Sequence, residues 1–206
     1  MLTKKVSRRA MLAMTGALTA ASLLPAGEAL AARSSSTTLP LTAQEKSDLL
    51  FMREEEKLAR DVYLTLFEVW GTPVFANIAT SEQQHMDAIL GLLNTYKLPD
   101  PTVGKMVGEF ANAELQALYD ALIARGKQSA LEALKVGGVI EETDIEDIVA
   151  AMETSRLSNI DSVYQNLLNG SYNHLRAFAS NIKSLTGQPY VAQVVSQDIV
   201  DSVLGV

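Results

Sequence analysis

Residues 49–70 read LLFMREEEKLARDVYLTLFEVW. Leu49, Met52, Glu56, Ala59, Tyr63, Leu66 and Trp70 recur at heptad spacing and form one stripe along a helix. The stripe is apolar except for Glu56. Glu55 aligns nearly as well with Phe51, Leu58 and Val62, whereas Glu54 faces away and is expected at the surface. A carboxylate buried without a partner is costly, so acids on a core-facing stripe call for cations. Thr42 with Glu45 makes a capping box at the start of this helix, and Gly71, Thr72 and Pro73 end it near Trp70.

The same periodicity continues along the chain. After a short turn, a second helix is predicted from a cap at Thr80 or Ser81 to about Lys97, through His85, Ile89, Leu92 and Leu93. Leu98-Pro99-Asp100-Pro101 stops it. The stretch from Thr102 to about Gln128 is long for a bundle turn and holds a short helix of its own over 113–125. A third long helix spans about Ser129–Ser155, weakened by Gly137 and Gly138. A fourth spans about Ile160–Leu185 and ends at Gly187 and Pro189, before a small helix over 191–204. No strand pair and no fixed-period repeat is visible. The expected fold is all-α: a four-helix bundle over 42–186 with a long crossover between its second and third helices, and a helical tail over 187–206.

The chain has 206 residues, of which 48% are hydrophobic and 20% charged, enough for one domain with a substantial core. Its net charge of −7 argues against nucleic acid as a partner. The absence of Cys excludes disulfides, thiolate zinc sites, Fe–S clusters and cysteine nucleophiles. Residues 1–31 read as an export signal: Lys4, Lys5, Arg8 and Arg9, then an apolar run to Leu24, then Ala29-Leu30-Ala31 as a cleavage pattern. Ser7-Arg8-Arg9-Ala10-Met11-Leu12 looks like a twin-arginine signal, a route that carries folded proteins, often with a cofactor seated. The apolar run is short and broken by Thr15, Gly16 and Thr19, so no stable membrane insertion is expected after cleavage. Residues 32–41 form a linker. The remaining chain, with 13 basic against 23 acidic residues, would be a periplasmic or extracellular protein of charge −10.

Candidate functional residues sit in the helix seams. Glu82 and His85 form ExxH, and residues three apart share a helix face, so both can reach one ion. The other histidine, His174, lies near the apolar side of the fourth helix beside Leu167, Phe178 and Ile182. On the third helix, Glu141 shares a face with Ile145, Ile148 and Met152, and Glu142 with Ile145, Val149 and Met152. Acids and imidazoles from four helices, with oxygen and nitrogen donors mixed, suit Fe, Mn or Zn. Glu56, Glu82, His85, Glu141, Glu142 and His174 are therefore the metal-ligand candidates.

EEEKLARDVY (54–63), SEQQHM (81–86), GGVIEETDIEDI (137–148) and GSYNHLRAF (170–178) together resemble the DUF2202 group of the ferritin-like superfamily, over about residues 42–182. The resemblance implies a rubrerythrin-like bundle with Fe or Mn, two ions per chain, acting on dioxygen or peroxide. Glu56 would correspond to the first-helix ligand, Glu82 and His85 to a bridging Glu and a terminal His, and Glu141 or Glu142 to the third-helix Glu, also expected to bridge. His174 would be the fourth-helix His. The pattern departs at position 171, where Ser171 stands in place of a bridging Glu; Glu141, Glu142, Asp144 or Glu146 could substitute. Asp61 or Asp144 would support the histidines, and Tyr63 and Tyr172 would gate electrons, fix a ligand or simply pack with a polar tip. A storage-type metal protein without turnover, a degenerate helical interaction module and a homodimer stay open at this point.

Overall fold

The computed structural model describes residues 40–206; the expected export signal and nearly all of the expected linker lie outside them. Helix α1 (Ala43–Trp70) begins at the expected capping box. The Glu45 N–H donates to Thr42 Oγ1 (3.0 Å), and the Thr42 N–H donates to Glu45 Oε2 (2.7 Å). Gly71, at φ 63°, closes α1 in the left-handed conformation. Helix α2 (Pro73–Thr95) starts at once, earlier than the cap expected at Thr80 or Ser81. Pro73 both ends α1 and opens α2, because its fixed φ and missing N–H suit a first helical turn.

Four further helices follow: α3 (Ala113–Gly126), α4 (Ala130–Thr154), α5 (Ser158–Thr186) and α6 (Gln197–Leu204). Helix α4 runs unbroken through Gly137 and Gly138. Both glycines admit rings: a Cβ would lie 2.4 Å from Phe178 at Gly137 and 2.1 Å from the Tyr190 hydroxyl at Gly138. Helix α6 is shorter than the expected 191–204, since residues 193–195 spend their N–H groups on Glu142.

Helices α1 and α2 pack together, as do α4 and α5; contacts of α1 with α4 and of α2 with α5 close the four-helix bundle. Tyr63, Phe75 and Phe178 cluster in the core, with ring centroids 5.3–6.2 Å apart. The crossover between α2 and α4 carries α3 and straps across α1. Arg53 pairs with Asp100, Lys57 with the Met106 carbonyl, Asp61 with the Gly108 N–H, and Glu54 with the N–H groups of Ala111 and Asn112. Residues 52–59 are consequently all buried, on every side of the helix. Glu54 is thus not a surface residue: it is 5% exposed, and its charge is answered by backbone N–H groups. No helix among the described residues is long and apolar enough to cross a membrane.

Candidate metal centre

Glu56, Glu82, His85, Glu141 and His174 all lie mid-helix, and the bundle brings them together. The two helix pairs turn at 71–72 and 155–157, so each of these residues stands roughly three to five turns from a connection, at 3.6 residues per turn. Glu82 is the pivot. Its Oε2 is 2.9 Å from His85 Nδ1, and its Oε1 is 2.8 Å from His174 Nδ1. Glu56 Oε2 approaches His85 Nδ1 from α1 at 3.1 Å, and Glu141 Oε2 approaches His174 Nδ1 from α4 at 3.4 Å. Two Glu/Glu/His triads result, Glu56–Glu82–His85 and Glu82–Glu141–His174, with Glu82 common to both. The imidazoles stack, with centroids 5.5 Å apart. All five residues are buried.

The sequence model of the family described as "Uncharacterized protein domain (DUF2202)" matches residues 45–206. The chain belongs to the DUF2202 family. This DUF2202 chain is similar to "Uncharacterized protein MJ0754" of Methanocaldococcus jannaschii, with 43% identity over 165 residues, covering 80% of this chain and 89% of that protein. It is also similar to the crystal structure of hypothetical protein MJ0754 from Methanococcus jannaschii, with a TM-score of 0.80 at 42% identity, covering 84% of this chain and 98% of that one. The ferritin-like four-helix arrangement with paired triads, expected from the sequence, is present in this DUF2202 chain.

The donors fit metal ions better than they fit one another. Glu56 Oε1, Glu82 Oε1, Glu141 Oε2 and His174 Nδ1 are buried without a hydrogen bond of ordinary alignment. His174 Nδ1 and Glu82 Oε1 are close, yet not aimed at each other as donor and acceptor. The other nitrogen of His174, Nε2, lies 2.9 Å from Ser81 Oγ. An Nε2–H donating there would leave the Nδ1 lone pair free for an ion. Mixed carboxylate and imidazole donors suit Fe, Mn or Zn.

Burial opposes charge on Glu82, but His174 and His85 outweigh it and hold its pKa at about 2. Burial lowers both imidazoles, yet Glu56 and Glu82 lift His85 to about 10, and Glu141 and Glu82 lift His174 to about 11. Glu56 rises to about 8, chiefly through burial.

Of the sequence-nominated residues, Glu142 stands apart. It is fully buried but turns away to the C-terminal segment, where it accepts from the Tyr190 hydroxyl (2.5 Å) and from the N–H groups of Gln193, Val194 and Val195 (2.6–3.0 Å). Glu141 takes part in only one triad, so Glu82 alone spans both histidines, not Glu82 together with the α4 acid. Glu146 is exposed. Asp61 does not support a histidine; it holds Lys57, Arg60 and the Gly108 N–H. Tyr63 fixes a ligand candidate: its hydroxyl donates to Glu141 Oε1 at 2.5 Å. Tyr172 is a partly buried residue packed against the core.

Two residues escaped the sequence reading. Ser81 looked like a cap because the start of α2 was misplaced, and Gly170 carried no signal of its own. A Cβ on Gly170 would lie 2.4 Å from His85 Nε2, so His85 rests directly on the α5 backbone. Gly170→Ala should push the ring aside and weaken the ion of the Glu56–Glu82–His85 triad about 10–100-fold, the size of an outer-shell perturbation. The Glu82–Glu141–His174 triad should change less. A Co(II) titration followed by visible absorption separates the two steps.

Proposed function

We propose that the bundle holds two redox-active ions, iron or manganese, and serves as a non-haem oxidoreductase acting on dioxygen or peroxide. The observation that carries this reading is Glu82: one carboxylate presents an oxygen to each of two imidazole Nδ1 atoms. Glu56 and His85 would hold one ion, Glu141 and His174 the other, and Glu82 both. When bound, such a pair supplies a two-electron step across an O–O bond. The chain's own residues fix the geometry, with Tyr63 holding Glu141 and Ser81 holding His174. Export through residues 1–31 would place this chemistry outside the cytoplasm.

The test is metal content per chain after purification without chelator and after anaerobic Fe(II) or Mn(II) loading, followed by peroxide and dioxygen consumption. Two equivalents with turnover support the proposal. Two equivalents without turnover favour a storage-type protein, and no metal under any loading sinks the metal reading.

Ion binding should also expel protons. Without ions, His85 and His174 stay charged at neutral pH, and Glu56 is largely protonated. An ion needs neutral imidazole and ionised carboxylate. Affinity for Mn(II) should therefore rise as pH is raised from about 6 to about 9. Calorimetry in buffers of different ionisation heat reads the released protons directly, and a pH-independent affinity would contradict the assignment.

A further inference from the structure

Helices α2 and α5 contribute to the centre unequally. Helix α2 places Glu82 three residues before His85; at the same offset before His174, α5 places Ser171. Ser171 is buried, and its hydroxyl donates back to the Leu167 carbonyl at 3.2 Å, so it is occupied by its own helix. Two divalent ions would bring four positive charges against three carboxylates, Glu56, Glu82 and Glu141. Asp144 lies one turn beyond Glu141 on α4, the helix that packs on α1. It is 2% exposed, and its Oδ2 has no hydrogen-bond partner.

We propose that Asp144 is the fourth carboxylate of this centre, ligating the ion of Glu56 and His85 in place of the acid that position 171 lacks. The inference rests on the dinuclear reading above and adds a ligand that neither triad contains. Asp144 would bring a fourth carboxylate to two divalent ions, whose charge is costly to bury uncompensated. After burial itself, the groups acting most on Asp144 are Glu55 and Glu56, ahead of Glu141 and Glu82, and all push its pKa well above the ordinary value. The Tyr63–Glu141 and Asp48–Thr154 contacts run α4 antiparallel to α1 and set Asp144 against the stretch of α1 that carries Glu56. Its buried Oδ2 has no donor aimed at it, and a cation is the partner that such an oxygen calls for.

The experiment titrates wild type, Asp144→Asn and Asp144→Leu with Co(II), reading stoichiometry by elemental mass spectrometry and coordination by visible absorption. Melting temperature is recorded with and without metal. Wild type should bind two ions. Both variants should bind one as before and the other at least tenfold more weakly, with an altered Co(II) spectrum; the Leu variant guards against ligation by the Asn amide oxygen. Without metal the variants should melt no lower than wild type, because an acid among acids has been removed; with metal the order should reverse. If wild type and both variants bind two ions with equal affinity and the same spectrum, Asp144 is not a ligand, although the dinuclear reading survives. If wild type binds no ion, that reading fails and this proposal with it.

Discussion

Glu82→Ala should abolish both metal sites together. Each triad draws on a different oxygen of this carboxylate, so its removal reduces one triad to Glu56–His85 and the other to Glu141–His174. The loss should exceed the roughly 10–100-fold typical of an outer-shell partner, and metal retained through desalting should fall from two equivalents to none. The metal-free protein should suffer as well. Glu82 is the shared counter-charge of two buried imidazoles, and removing one partner of such a pair costs about 3–5 kcal/mol. The sign of the pH dependence follows from the shift. With its pKa held near 2 against an ordinary 4.5, Glu82 stabilises the fold fully above about pH 4.5, and that contribution is lost as pH falls toward 2. The variant should lack this acid limb in melting curves taken across that range. Retention of two ions by Glu82→Ala would remove the pivot from the proposal.

Glu142→Ala should do the opposite: large damage to the fold and little to the metal. The wild-type carboxylate accepts from one phenol and three backbone N–H groups, and these bonds fasten residues 190–195 to α4. Hydrogen bonds to a charged group are worth about 1.5–3 kcal/mol each, but a released tail recovers part of that from water. A net loss of about 3–5 kcal/mol is expected, which lowers the melting point on the order of 10 °C for a chain of this size. Residues 188–196 should become sensitive to limited proteolysis, and α6 should undock with them. Metal stoichiometry should stay at that of the wild type. A variant that lost its metal while melting normally would return Glu142 to the centre.

These two adjacent acids show where sequence reading stops. Glu141 and Glu142 both lie on apolar faces of α4, and both are buried. Periodicity treats a helix as having one inside, but α4 has two: the bundle seam takes Glu141, and the tail, some fifty residues later, takes Glu142. Glu54 was misjudged for the same reason, because its partners at 111 and 112 come from the crossover. Glu82, His85 and His174 were legible because α2 and α5 present core-facing stripes and because ExxH fixes two donors on one face; Glu56 was legible from its place on the apolar stripe of α1, although that helix is buried on its other sides as well. The start of α2 was not legible: Gly71-Thr72-Pro73 reads as a stop, and the same proline is also a start.

The enclosure of α1 has a consequence for how the chain can vary. A helix with one exposed side offers evolution a free position about every turn, and its tolerance rises and falls with the 3.6-residue period. Residues 52–59 offer none, since the bundle takes one side and the crossover strap the other. Tolerance to substitution should drop there to an unbroken low plateau, between the first turns with exposed Ala43, Lys46 and Ser47 and the end of the helix at Phe67, Glu68 and Val69, where it emerges into water.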